Sequence, residues 1–330
     1  MGDTTISWTH RPGTRGRTWN PTNGCQVVSP GCANCYAMRF AGRFSAPGQR
    51  YHGLVRIAKN KRAVWTGESR LEQHMLGLPL RWRDPSTVFV NSMSDLFYEG
   101  FSDRQIAAVF GIAAACPQHT FQCLTKRAER LPKWFKWLDE EIESEAQEHS
   151  GADCSVSIHT ARAEERARVL ADAAADELCD GSEDDHERWY ERLSDAICDA
   201  WARTGDDGGT EWTMPWPLPN WWQGVSVENR DALGRLDDLR ATPAAVRFIS
   251  AEPLLDYLGA IDLTGSDQVI VGAESGPGAR PCEDAWVRDL RDQCRAAGVA
   301  FFVKQLVVGG KLRKDVSEFP ADLQIQEFPR

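Results

Sequence analysis

Thr87-Val-Phe-Val-Asn-Ser-Met93, the run with apolar positions Ile106, Val109, Phe110, Ile112 and Ala113, and Thr120-Phe-Gln-Cys-Leu-Thr125 together set the fold of this chain. Two short runs rich in β-branched and aromatic residues flank a segment whose apolar residues recur at three- and four-residue spacing, which reads as strand, helix, strand. Strands joined through such a helix lie parallel, with a right-handed crossover. Further strand-like runs follow at residues 222–227, 246–250, 268–272 and 300–303, with helical stretches at 230–240 and 283–297 between them. Six runs, or seven with a short strand near Thr18-Trp19-Asn20, predict an α/β chain built as a partial or complete (βα) barrel. A doubly wound open sheet is the competing architecture.

Outward from that frame the chain divides by charge. Residues 139–210 hold 22 acidic residues against six Arg and no Lys, a net of -16, so the remainder of a chain at -10 carries +6. Helical runs at 160–179 and 185–203, closed by Gly205-Asp-Asp-Gly-Gly209, predict an acidic helical subdomain inserted between barrel parts at 1–138 and 211–330. Such a segment is either a solvated face or a docking surface for a protein partner. A helix is also expected near residues 67–80, after a basic stretch from Arg50 to Arg62. A mildly basic body is compatible with a nucleic-acid substrate.

Cys25-Gln-Val-Val-Ser-Pro-Gly-Cys32-Ala-Asn-Cys35 places three of the ten cysteines within eleven residues. Thiolates so close in sequence can converge on one metal centre, and Ser29-Pro30-Gly31 supplies the reversal they need. A closed zinc site takes four ligands, and His10, Cys116 or Cys123 could supply the fourth; an iron–sulfur cluster held by three cysteines leaves one iron open. With no apolar leader in residues 1–17 and no apolar run long enough to span a bilayer, the expectation is a cytoplasmic protein with free thiols and no membrane partner. The third cysteine is expected at a helix start, before Tyr36, Met38, Phe40, Ala41 and Phe44.

A barrel carries its site at the C-terminal ends of its strands. Those ends hold Ser92 and Asp95; Lys126 and Arg127; Ser226 and Glu228; Ser250 and Glu252; Gly272, Glu274 and Ser275; and Lys304 and Gln305.

These motifs, with Trp19-Asn-Pro21, Gly24, Leu124-Thr-Lys-Arg127, Gly224-Val-Ser-Val-Glu228, Glu252-Pro-Leu-Leu255, Gly272-Ala-Glu-Ser-Gly276 and Arg280-Pro281, resemble the phage and bacterial three-cysteine-motif proteins of unknown function. That family in turn looks like radical S-adenosylmethionine (SAM) enzymes of the TIM-barrel class and, more distantly, spore photoproduct lyase. The resemblance implies a radical-SAM-type barrel with a [4Fe–4S] cluster on Cys25, Cys32 and Cys35, and S-adenosylmethionine on the open iron. An external electron donor and a 5′-deoxyadenosyl radical acting on a nucleic-acid base or a peptide are implied with it. Ser92 and Asp95, then Gly272, Glu274 and Ser275, would bind that cofactor; Lys126, Arg127, Glu228, Arg280 and Gln305 would hold substrate; Glu252 and Lys304 would be catalytic. A phage-encoded relative would work in its host's cytoplasm. Six residues separate the first two cysteines where the radical-SAM pattern has three, and Asn34 stands where an aromatic usually precedes the third. A second function class stays open: a non-catalytic binding or host-takeover protein whose cysteines hold structural zinc or a structural cluster.

Overall fold

The computed structural model describes residues 4–149, 158–204, 210–212 and 214–329. Its centre is an eight-stranded sheet of β1 (Arg15–Trp19), β2 (Ser86–Val90), β3 (Thr120–Thr125), β4 (Trp221–Ser226), β5 (Val246–Ala251), β6 (Gln268–Gly272), β7 (Ala300–Val308) and β8 (Lys311–Arg313). The strands pair in the order in which the chain makes them. β1 to β7 run parallel, and only β8 turns back antiparallel on β7. With no point at which the winding reverses, the sheet is singly wound, and the doubly wound alternative is excluded. β1 and β8 are its two ends and do not pair with each other, so the sheet curls into a half-barrel.

Register sorts the side chains into two faces. Phe89, Trp222, Phe248, Ile270 and Phe302 share one face, where Trp8 packs against them. Val88, Val90, Phe121, Cys123, Trp221, Val225, Ile249, Ala251, Val269, Val271, Phe301 and Val303 lie on the other, in the main core beneath the helices. Strands buried on both faces are mostly apolar, which is why the sequence shows them as short continuous runs, although Thr87, Gln122, Gln223 and Gln268 are buried among them.

The helices are α1 (Tyr36–Gly42), α2 (Asp103–Ala114), α3 (Arg130–His149), α4 (Ile158–Leu178), α5 (Glu183–Trp201), α6 (Arg235–Arg240) and α7 (Asp284–Ala297). Ser102 and Gln105 form a reciprocal capping box that starts α2. Gly298, at φ +70°, ends α7 in the left-handed conformation that glycine adopts without cost. The helix expected over 67–80 shrinks to one turn, Gln73–Leu76, because Gly77 and Pro79 stop it, and Arg70–Leu71 pairs instead with Thr22–Asn23. The stretch 230–240 divides at Gly234 into a 3-10 turn, Arg230–Ala232, and α6.

The acidic segment is mostly helical in its described part, ending in a short strand, Ala202–Thr204, that pairs antiparallel with Thr210–Trp212, but it is not a detached module. Ala163, Ala167, Leu170, Ala171 and Ala174 of α4, and Leu193 and Ile197 of α5, belong to the same core as the sheet. At Gly111 the backbones of α2 and α4 touch: a Cβ there would lie 2.2 Å from the Leu170 carbonyl oxygen. This explains why α2 is buried on every side from Ile106 to Ala114, with the sheet below it and α4 above. Most of the charge sits on the outer helix faces, where Asp172 and Asp176 hold Arg104 of α2; Glu165 and Asp185 are buried. The Gly-rich run 205–209 lies outside the described residues.

Candidate functional site

The chain enters the cysteine loop through Gly24, at φ +92°, where a Cβ would stand 2.2 Å from the Glu68 carbonyl oxygen. Only glycine fits both the angle and the gap. Ser29 then opens a tight turn, Pro30–Cys32, and Cys35 occupies the N-cap position of α1, so the third cysteine does mark a helix start. The turn is closed by the amides of Cys32, donating to the Ser29 carbonyl at 2.9 Å, and of Cys35, donating to that of Cys32 at 3.2 Å.

No disulfide joins the described cysteines. Burial pushes the Cys25 thiol up to about 12, reinforced by Asp95, while the Arg127 guanidinium 3.8 Å away pulls the other way. Burial likewise raises Cys35, against the Met38 and Ala37 amides that favour its thiolate. Each of these two is also raised by the negative charge of Cys32, so the three sulfurs share one neighbourhood. Three thiolates on one tetrahedral zinc would lie about 3.8 Å apart at Zn–S distances near 2.3 Å. Among the described residues, only Asp172, Asp176 and His186 offer three ligand atoms all within 4.8 Å of one another. The cysteines are thus spaced too widely to grip one ion as they stand.

Three of the strand-tip residues, Glu228, Glu274 and Arg127, hold this loop in place, with Arg280 beside them and Asp95 behind Arg127. Glu228, fully buried, accepts from the Ser29 hydroxyl and, at 2.9 Å, from Arg235. Gly31 lies so near that a Cβ would meet Glu228 Oε1 at 2.7 Å. Burial opposes ionisation of Glu228, but Lys126, Arg235 and Ser29 together outweigh it and hold the carboxyl below its usual range. Glu274 accepts from the Asn34 amide at 2.8 Å and from the Arg280 backbone amide at 2.9 Å and guanidinium Nε at 3.0 Å. Those bonds overcome its burial and lower it too. Arg280 also donates to the Pro30 carbonyl at 2.9 Å. Arg127 donates to the Gln26 carbonyl at 3.0 Å, to Asp95 at 3.1 Å and to Glu99 at 2.9 Å. Asp95 is filled by Arg127, the Thr125 hydroxyl at 2.7 Å and the Lys126 amide at 2.9 Å.

The remaining strand-tip residues form a polar floor. Lys126 donates to Ser226 at 2.8 Å, and its charge reaches both Cys35 and Glu228. Lys304 donates to both Glu252 oxygens, at 2.5 and 2.7 Å, and Gln305 joins Glu252 at 3.3 Å and the Ala273 carbonyl at 2.6 Å. Gly272 sits against this pair, 3.4 Å from Glu252 Cγ by its Cβ direction. Ser92 donates to Asn20 at 3.0 Å, and its carbonyl accepts from the Tyr36 hydroxyl at 2.8 Å. Ser275 contributes only its carbonyl, to Arg39 at 3.5 Å. A cavity of about 1270 Å³ opens elsewhere, at the N-terminal ends of β5 to β7, lined by Asp267, Arg291, Cys294 and Phe328 among others. It lies away from the end of the strands at which barrel sites form.

Sequence reasoning missed Ser29, Asn34, Glu99 and Arg235 as parts of this assembly. Asn34 had been visible only as a departure from an expected aromatic, and its partner shows why an amide stands there.

The chain belongs to a family of proteins of unknown function (DUF5131), whose model matches residues 3–319. No curated protein and no solved structure matches it.

Proposed function

We propose that this DUF5131 chain is an iron–sulfur enzyme of the radical S-adenosylmethionine type, with Cys25, Cys32 and Cys35 as the ligands of a [4Fe–4S] cluster. The observation that carries the reading is the cysteine loop, pinned by Glu228, Glu274 and Arg127 over the C-terminal ends of parallel strands, above a floor of Lys126, Glu252 and Lys304. A metal-binding loop in a purely structural role has no need of that floor. When bound, the cluster would supply the electron that cleaves S-adenosylmethionine reductively.

The chain's own residues divide the remaining work. Arg127 places a positive charge beside Cys25, which lowers the cost of a negative cluster in a partly buried site. Ser92 and Asp95, at the tip of β2, and Gly272, Glu274 and Ser275, at the tip of β6, would flank the cofactor from opposite sides of the mouth. Asp95 and Glu274 act there by positioning, since their oxygens are already taken by Arg127, Thr125, Arg280 and Asn34. Lys126 and Arg280 would border the substrate, while Glu228, Arg127 and Gln305, expected to do so as well, are buried and bonded and serve to hold the loop and the floor. Glu252 and Lys304, hydrogen-bonded at the floor, can hold or move a proton between carboxylate and amine.

Protein purified without oxygen, reduced with dithionite and given S-adenosylmethionine should release 5′-deoxyadenosine. Intact S-adenosylmethionine recovered from fully iron-loaded protein would overturn the enzymatic role and leave a structural cluster. Stoichiometric zinc with no iron after anaerobic reconstitution would overturn the cluster as well.

A further inference from the structure

Beside the cysteine loop lies a face whose charge runs against that of the whole chain. Residues 4–67 contain ten Lys and Arg and no Asp or Glu, within a protein of net charge -10. Six of the ten, Arg39, Arg43, Arg56, Lys59, Lys61 and Arg62, sit on or beside α1 and on the hairpin of Val55–Ile57 and Ala63–Trp65 that packs on it. Gly42 makes that packing close, since a Cβ there would meet the Ala63 Cβ at 2.6 Å. Among the described residues none of these six is paired with a carboxylate: Arg39 donates to the Ser275 carbonyl and Arg62 to the Asn34 side-chain oxygen. Unpaired cations at this density repel one another and favour a polyanion.

The same face exposes rings. Tyr36, Phe40 and Phe44 recur every four residues and are 49%, 44% and 43% exposed, and Ile57 on the hairpin is 58% exposed. Phe40 and Phe44 lie 5.2 Å apart between centroids, so they form a continuous stripe. Aromatic side chains left in water beside unpaired arginines are the combination that binds a nucleic-acid strand: cations follow the phosphates, and rings stack on unpaired bases. A duplex keeps its base faces covered and could use the cations only. The stripe begins at Tyr36, next to Cys35, and Arg62 reaches Asn34 inside the loop, so the face leads to the mouth over the strand tips.

We propose that α1 and the adjoining hairpin form a binding face for single-stranded nucleic acid, leading a strand to the cysteine loop. The face stands on charge and exposure alone; that the bound strand is also the substrate rests on the enzymatic reading above.

The test is fluorescence anisotropy of the full chain, anaerobically prepared, with labelled 15-residue single-stranded RNA and DNA, the matching duplexes, and polyglutamate as competitor. Expected is binding that weakens steeply with salt, prefers single strands of either sugar over duplex, and resists polyglutamate. Phe40→Ala with Phe44→Ala should weaken it at least about tenfold. Changing Arg43, Arg56, Lys59 and Lys61 together to Ala should flatten the salt dependence by up to four phosphate contacts. Thermal melting of each variant separates a lost contact from a lost fold. Duplex bound as well as single strands, unchanged binding by the Phe variant, or full displacement by polyglutamate would each overturn the proposal in favour of a general anion patch or an acidic protein. No binding by iron-loaded protein would sink the face and leave the enzymatic reading intact. Binding by protein that takes up no iron would uphold the face while that reading fails.

Discussion

The Asn34 amide donates to the Glu274 carboxylate at 2.8 Å, joining the cysteine loop to the tip of β6. Glu274 is buried and held on its other side by Arg280, which in turn reaches the Pro30 carbonyl. One carboxylate thus fixes the loop at two points, on either side of Cys32. Glu228 does the same at Ser29. The loop's shape around Cys32 is therefore set by groups that arrive from the far half of the chain, while Arg127 holds Gln26 at its start.

Asn34→Ala should leave the fold standing and loosen the loop. A hydrogen bond to a charged acceptor contributes about 1.5–3 kcal/mol. The loss should appear as a lower melting temperature, faster proteolysis between residues 25 and 35, and faster loss of iron to a chelator. Asn34→Phe should be no better, because Glu274 would lose the same donor.

Acid should release the loop through Glu228. Its carboxyl is held below the ordinary 4.5, so the unfolded chain takes up its proton first as pH falls. The stabilisation is complete above about pH 4.5 and is lost as pH drops through the lower folded value. Glu228→Gln should be less stable at pH 7 and show a shallower decline between pH 5 and 3 by urea unfolding. Parallel curves for the two proteins would rule out this linkage.

Removing residues 139–210 in favour of a short Gly/Ser linker should give insoluble protein, because α2 would lose its cover. Each large apolar side chain newly exposed costs about 1.5–3 kcal/mol. A milder version is Gly111→Ala, which drives a methyl against the Leu170 carbonyl and should cost about 1–3 kcal/mol. Thermal melting reads both; a soluble, cooperative deletion variant would return the segment to the status of a detachable module.

Iron analysis separates the ligands from the floor. Anaerobic protein should hold about four irons per chain, and Cys25→Ala, Cys32→Ala or Cys35→Ala should each abolish this. Lys126→Ala and Lys304→Ala should keep the iron and the release of 5′-deoxyadenosine. Asp95→Ala should lower both, since it removes the buried one of Arg127's two carboxylate partners and leaves only Glu99. Equal iron in Asp95→Ala and unchanged protein would remove Asp95 from the positioning set.

The strands were legible because buried parallel strands are rich in apolar and β-branched residues, so 120–125 and 268–272 appear in sequence with the ends they have in the fold, even though Gln122 and Gln268 are buried within them. The polar tips were legible as types but not as roles. Nothing near Glu228 or Glu274 in sequence announces that each faces a loop 199 or 240 residues earlier. The packing of α4 was hidden for another reason. Its buried stripe is mostly alanine, which carries little hydrophobic signal yet lets two backbones approach at Gly111.

The consecutive order of the strands also has a meaning in time. The cysteines leave the ribosome early, while Glu228 and Glu274, the clamps that shape their loop, are still to be translated. A nascent chain therefore carries three accessible thiols and no finished cradle. Under the proposed cluster reading, iron would be delivered only after β6 has closed onto β5, and a chain truncated before residue 274 would leave its cysteines without the carboxylates that shape their loop.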